Sequence, residues 1–181
     1  MWTSVCRDEN LNNGDTVNVY GASVYRTSNL TSIDYGNGAI GPDGKTRKGL
    51  IKVVETGDYD TPGGRLTVSF DAYKVEDKPV TGDIDVMNNG NDSLSLSVLN
   101  FSINEKFNLN SNKTLLWKSG FDTEDASDDL FEFWGQSIGS DNVSDNLTAD
   151  ILNKIVLDRS CQYGVTEGVI DMVFDNDTSS T

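Results

Sequence analysis

The segment Arg65-Leu-Thr-Val-Ser-Phe-Asp-Ala-Tyr-Lys-Val75 decides the fold class, because its side chains alternate between apolar and polar with a period of two. Successive side chains of an extended strand point to opposite faces of a sheet. The alternation predicts one packed face and one solvated face, as an antiparallel sheet allows. The packed face would carry Leu66, Val68, Phe70, Ala72 and Lys74, and the solvated face Arg65, Thr67, Ser69, Asp71 and Tyr73.

Further strands are predicted on both sides of this segment. Turn residues such as Pro62-Gly-Gly and Asn88-Asn-Gly-Asn-Asp separate them. We therefore predict an all-β fold, an antiparallel meander forming a sandwich or open barrel, in one domain over 1–181. The fold of 1–32 is left open, and 178–181 is expected to be a frayed tail. The predicted strands cover 50–56, 65–75, 82–87, 93–99, 112–117, 130–134 and 165–174.

Packing of the central strand gives a specific expectation. Leu66, Val68 and Phe70 share a parity, and a Pro-Gly-Gly turn links their strand to the one before it. We expect these three side chains to be buried together beside Ile51 or Val53.

The charge of the chain excludes some partner classes. The chain has 29 acidic and 14 basic residues, a formal net charge of −15, and no histidine. So acidic a surface repels nucleic acid and anionic lipid. No stretch is apolar and long enough to span a membrane. Cations are the one partner class that the charge attracts, but solvation of an extracellular domain is the preferred explanation of the charge.

The absence of histidine also restricts catalysis. It excludes Ser-His-Asp and Cys-His nucleophilic sites and any histidine-ligated metal. No glycine-rich phosphate-binding loop occurs. The remaining catalytic options are a carboxylate pair of the glycoside hydrolase type and a Ser–Lys arrangement. We expect a protein that is not an enzyme.

Several pieces of the sequence, in order, resemble a family of uncharacterised secreted lipoproteins of Bacteroidota. The resemblance begins at 33–44, continues through Asp43-Gly-Lys-Thr-Arg-Lys-Gly49 and Thr56-Gly-Asp-Tyr59, and returns at 157–163 and 171–179. Ala39 and Ser179 stand where that family carries cysteines. The resemblance implies an extracellular or cell-surface protein. It also favours a strand over a helix at 147–156, where Asp145-Asn-Leu-Thr148 is otherwise typical of a helix start.

The interpretation of the two cysteines depends on the same resemblance. The two cysteines, Cys6 and Cys161, lack the spacing of a sulfur metal site. In an exported chain an even pair suggests one disulfide, and in a cytosolic chain two free thiols. The resemblance implies the disulfide Cys6–Cys161, and it places Ala39 close to Ser179.

Candidate ligand-binding residues are aromatic or acidic. Aromatic side chains on a sheet can stack against sugars, which makes Trp117, Trp134 and Tyr73 candidates for a polysaccharide site. Calcium prefers clustered carboxylate and amide oxygens. The calcium candidates are Asp58, Asp60, Asp175 and Asp177.

The most consistent functional interpretation is a non-enzymatic binding, adhesive or structural module. A carbohydrate-binding module is the first alternative, and a carboxylate-based glycoside hydrolase the second. Partners would be polysaccharide or copies of the chain itself. A structural subunit should show an apolar edge or a terminal strand given to a neighbour, and a sugar-binding module should show exposed coplanar aromatic rings.

Overall fold

The structure is a computed structural model that describes residues 12–120, 123, 125, 127–141, 145–161 and 164–176. Within these residues one sheet of twelve antiparallel strands forms, without a helix. No helix that could cross a membrane occurs in the described part of the chain. The strands are β1 (Thr16–Val19), β2 (Ala22–Arg26), β3 (Leu30–Asp34), β4 (Ala39–Ile40), β5 (Thr46–Thr56), β6 (Arg65–Val75), β7 (Lys78–Gly90), β8 (Ser93–Ile103), β9 (Phe107–Ser119), β10 (Leu130–Asp141), β11 (Asp145–Asp158) and β12 (Val165–Asn176).

The strands follow one another across the sheet in the order in which they occur along the chain. Only the two-residue strand β4 departs from this order, since it pairs with β5 outside the main path. The all-β antiparallel meander is therefore confirmed, and its path runs from β1 to β12 without closing into a barrel. Segment 147–156 lies in strand β11, as the family resemblance favoured.

The two sides of the sheet differ in polarity. Directly opposite residues on neighbouring antiparallel strands share a face, so the pairing register identifies each side. We call one side the apolar face; it carries Val53, Val68, Ile84 and Val98, which lie opposite one another in sequence across β5 to β8. We call the other side the polar face; it carries Arg65, Asp85 and Glu132 among others.

The best-packed part of the apolar face lies on β5, β6 and β7. Val68 lies opposite Val53, and Phe70 lies opposite Ile51. Val53, Val68 and Ile51 are buried there, and Leu66 and Phe70 are partly buried against them. The expected grouping of Leu66, Val68 and Phe70 is confirmed.

One bulge changes the predicted alternation of β6. Ala72 has a φ of 49° and Gly49 on β5 has a φ of 81°, and the register shifts between Lys48 and Leu50. An extra residue in a strand turns the following side chains to the opposite face. Ala72 is therefore exposed and Tyr73 is buried, only 7% exposed, which is the reverse of the prediction for both residues.

Candidate functional site

Strand β12 is the most unusual surface of the protein. Every described side chain on it is exposed, although the strand has twelve residues and pairs along most of its length with β11. Six of these exposed side chains are large and apolar: Val165, Val169, Ile170, Met172, Val173 and Phe174, with exposed fractions from 44% to 65%. Exposed apolar side chains concentrated on one strand indicate an interaction site.

Apolar side chains occupy both faces of β12. Met172 and Phe174 lie opposite Ala149 and Leu147 and continue the apolar face, whereas Val173 lies opposite Thr148 on the polar face. The acids of the strand fall at regular intervals, at Glu167, Asp171 and Asp175.

β12 is also an edge strand. Within the described residues it pairs with β11 alone, so one row of its backbone N–H and C=O groups has no neighbouring strand. The opposite edge, β1, is short and mixed in polarity, with the sequence Thr16-Val-Asn-Val19. Proteins commonly protect edges with short strands or charged residues. The β1 edge is short, as that description requires. The β12 edge is long, and it combines three acids with six large apolar side chains.

An interior strand of the same sheet shows how a second neighbouring strand affects the burial of apolar side chains. Leu94, Leu96 and Val98 on β8 are half-buried, with β7 on one side and β9 on the other. Apolar residues of the same types on β12 are exposed. One more strand beside β12 would give its side chains the environment of Leu94, Leu96 and Val98, although Leu99 and Ile103 of β8 stay exposed between two strands.

A shallow groove lies at one end of the sheet, between the β5–β6 loop and the β7–β8 turn. The loop and the turn are held together by hydrogen bonds: the Gly63 N–H donates to the Asn88 carbonyl at 2.7 Å, and Asn88 Nδ2 donates to the Tyr59 carbonyl at 2.9 Å. The groove has a volume of about 470 Å³. Its lining consists of Tyr59, Asp60, Pro62, Asn88, Gly90, Asn91, Asp92, Ser93, Leu94 and Trp117.

The three aromatic candidates do not form one platform. Trp117 lines the groove on the apolar face and packs against Phe131, with ring centroids 5.3 Å apart and planes tilted by 37°. Trp134 lies on the polar face beneath Lys154, whose Nζ is 4.4 Å from the ring centroid. Tyr73 is buried in the core beside Phe70. The bulge at Ala72 turns the Tyr73 ring inward, so this ring is not exposed on the surface of the sheet.

The calcium candidates lie at opposite ends of the sheet. Asp58 and Asp60 belong to the β5–β6 loop, where Asp58 Oδ1 accepts a hydrogen bond from the Asp60 N–H at 3.0 Å. Asp175 lies at the far end of β12, because β12 begins beside the end that carries this loop. Asp177 lies outside the described residues. Within the described chain no group of three or more acidic or cysteine side chains could hold a metal ion, so the calcium site stays a prediction.

Cys161 lies in the β11–β12 turn as a free, half-buried thiol. Its predicted partner, Cys6, lies outside the described residues, and among those described no disulfide occurs. Ala39 is buried at the start of β4, and Ser179 also lies outside the described residues. Both the disulfide and the proximity of Ala39 to Ser179 stay predictions.

Ion pairs dominate the polar face. Arg65 donates to both oxygens of Asp85, at 3.0 Å from Nε and 2.6 Å from an η-nitrogen, and these bonds lower the pKa of Asp85. Lys154 donates to Glu132 at 2.9 Å and lowers the pKa of that carboxyl group. These basic side chains keep the carboxyl groups of the polar face ionised. The ion pairs therefore stabilise this face, and the carboxyl groups in them do not act as proton donors.

Sequence reasoning predicted a strand at 165–174 but did not identify it as a functional surface. The available signal was the presence of large apolar residues at both parities, as in Val169, Ile170, Met172 and Val173. Such a pattern is typical of a strand that is covered on both faces. Comparison of the chain with protein-family models, with curated proteins and with solved structures gives no significant match.

Proposed function

We propose that this chain is a non-enzymatic, extracellular or cell-surface β-domain that acts as a structural module and joins a neighbouring strand through β12. The observation that carries the proposal is the exposure of six large apolar side chains on β12, the longer of the two edge strands in the described sheet. An edge of this kind is a template for pairing with another strand. The resemblance to secreted lipoproteins supports the location.

The energetic reason is the uncovered apolar area of β12. Full burial of a side chain of this size stabilises a protein by about 1.5–3 kcal/mol relative to full exposure. Met172 and Phe174 are 55% and 65% exposed, so a covering strand would recover a substantial part of that amount for each of them. Backbone hydrogen bonds along the edge would add to the gain.

Support for catalysis is weaker. A glycoside hydrolase needs one carboxyl group whose pKa is raised, so that it can act as a general acid. Among the described residues, the carboxyl groups with a clearly shifted pKa have a lowered pKa instead. Hydrogen bonds to basic side chains lower it at Asp43, Asp77, Asp85 and Glu132, and the Ser127 N–H lowers it at Asp125.

Cell-surface cross-linking tests the proposed function. Intact cells that express the chain are treated with an amine-reactive cross-linker that does not enter cells, and the chain is detected with an antibody. We expect the wild-type chain in a higher-mass product. Met172→Lys should reduce that product several-fold. Ile138→Lys is the matched control, because Ile138 is similarly exposed but lies on the interior strand β10.

Two results would contradict the proposal. The first is a chain that the reagent labels only after the cells are lysed, which would place it inside the cell. The second is a higher-mass product that Met172→Lys and Ile138→Lys leave equally abundant. In the second case the cross-link would not depend on β12.

Carbohydrate binding at the groove is the second candidate function. The observation that favours it is the convergence of Trp117 and Tyr59 with the polar side chains of Asp60, Asn91 and Asp92 around one groove. Sugars are recognised by aromatic surfaces combined with a few polar groups. The test is binding to a panel of soluble polysaccharides, where Trp117→Ala should lose binding and Trp134→Ala, outside the groove, should retain it. Equal loss in both variants would exclude the groove.

A further inference from the structure

We infer that the strand that covers β12 is β12 of a second copy of this chain, paired antiparallel about a two-fold axis through Ile170. This inference rests on the proposed function and names the partner of the same surface. The two sheets would then join into one continuous sheet, with the two apolar faces on the same side.

The opposite edge of the sheet does not fit β12. A head-to-tail contact would place β12 beside β1 of the next copy. β1 has only four residues, against twelve on β12, so most of the β12 edge would stay uncovered. Pairing of β12 with itself matches the two strands in length and covers both edges at once.

Symmetry restricts the register of such a pair. A two-fold axis perpendicular to the sheet reverses the strand direction and keeps the same face upward. Each residue then lies opposite a residue of its own parity, and one residue lies opposite its own copy. The possible centres are therefore single residues near the middle of β12: Val169, Ile170 or Asp171.

Charge selects among these centres. A centre at Asp171 places that carboxylate opposite its own copy and Glu167 opposite Asp175. A centre at Val169 places Glu167 opposite Asp171. Like charges directly opposite each other destabilise a strand pair. With the centre at Ile170, Asp171 lies opposite Val169 and Glu167 opposite Val173, so no acid lies directly opposite an acid across 167–173. Asp175 lies across from the irregular start of β12 at Val165 and Thr166, which carries no acid.

The apolar face also fits the register centred on Ile170. Met172 then lies opposite Gly168, so this long side chain lies across from a residue that has none. This register uses residues 165–175, almost the whole strand. The next registers that avoid acid pairs, centred on Gly168 or Met172, align only 165–171 or 168–176.

The expected affinity is low. A standard stable interface uses about 20–30 residues on each side, and one strand supplies roughly half of that. The chains also repel each other, since each has a formal charge of −15. Screening weakens that repulsion, so the dimer should become stronger as salt is added.

Sedimentation and cross-linking test the inference on the full chain. We expect the wild-type sedimentation coefficient to rise from monomer towards dimer between about 10 µM and about 1 mM, a range that suits an interface of this size. Added salt should shift the rise to lower concentration. Ile170→Lys should abolish the rise, because it places two ammonium groups opposite each other, and Ile138→Lys should leave it unchanged.

Two variants test the register itself. Val169→Lys should strengthen the dimer several-fold at low salt, because the new ammonium group lies opposite Asp171 of the second copy. This advantage over the wild-type chain should shrink as salt is added. Ile170→Cys, in a chain with Cys6→Ser and Cys161→Ser, should oxidise to a covalent dimer much faster than Val165→Cys in the same chain. If the chain with Cys6→Ser and Cys161→Ser does not fold, sedimentation of the chain with its natural cysteines, with and without Val169→Lys, still tests the inference.

Three results would overturn the inference. The first is a wild-type chain that stays monomeric up to about 1 mM at all salt concentrations. The second is a dimer that forms equally well in the Ile170→Lys variant. The third is a monomer whose β12 amides are protected from hydrogen exchange, because residues 1–11 or another partner would then cover the edge. A monomer that still gives the β12-dependent cross-link on cells would refute self-pairing and retain the proposed function.

Discussion

Replacement of Gly49 by alanine tests the bulge that organises the core. Gly49 has a φ of 81°, which lies in the left-handed region. A Cβ at this position would lie 2.6 Å from the Ala72 carbonyl carbon and 2.9 Å from the Asp71 carbonyl oxygen. Gly44 is a matched control, because it has a φ of 76° but nothing within 4 Å of its Cβ position.

The two variants share one cost and differ in another. A left-handed backbone costs an L-residue roughly 1–2 kcal/mol, and the reduced freedom of the unfolded chain returns about 0.4–1 kcal/mol in both variants. Gly49→Ala also forces two paired backbones apart, which adds about 1–3 kcal/mol on the scale of overpacked cores. We therefore expect Gly49→Ala to be less stable than Gly44→Ala by at least about 1 kcal/mol.

Urea unfolding measures the difference. Tryptophan fluorescence and far-UV circular dichroism should give coincident transitions before a free energy is extracted. If the unfolding free energies of Gly49→Ala and Gly44→Ala agree within about 0.5 kcal/mol, the close contact between β5 and β6 does not exist in solution. The burial of Tyr73, which depends on that bulge, would then be wrong as well.

Two further predictions concern stability. Val24 on β2 is 1% exposed and Val169 is 44% exposed. Val24→Ala should therefore cost about 2 kcal/mol and Val169→Ala less than about 0.5 kcal/mol in monomeric protein; equal losses in urea unfolding would contradict the burial of Val24. Arg65 lowers the pKa of Asp85 in the folded state, so the charged form of this carboxyl group stabilises the folded protein. That stabilisation is fully present above the usual aspartate pKa and is lost as pH falls through the lowered pKa of the folded state. Wild type should therefore melt above Asp85→Asn at pH 7, with the gap shrinking below about pH 4; a gap that is constant with pH would exclude the ion pair as its cause.

Local pattern was sufficient to predict the fold class. Alternation in β6 correctly placed Leu66, Val68 and Phe70 on the packed side, since side-chain direction in a strand depends on position alone. It failed after Asp71, where a bulge shifts the register against β5. The glycine that permits this bulge, Gly49, lies on the other strand, so the pattern within β6 contains no sign of it.

The candidate sites were harder to predict because they depend on which strands are neighbours. Trp117 reaches the groove because the β5–β6 loop and the β7–β8 turn meet at one end of the sheet. Trp134, which belongs to the next strand, faces the other side. Parity within one strand cannot show either arrangement, since both require the pairing of several strands.

Strand β12 combines the sequence of an interior strand with the position of an edge strand. Its apolar residues at both parities are typical of a strand with neighbours on both sides and cover on both faces. In the meander, however, β12 is the last described strand, with β11 as its one neighbour among the described residues. On β8, which has two neighbours, Leu94, Leu96 and Val98 are half-buried, whereas Leu99 and Ile103 nearer its end are exposed. The conflict at β12 is therefore resolved most directly by one further strand, and the spacing of Glu167, Asp171 and Asp175 admits a full-length antiparallel copy of β12 itself in a single symmetric register.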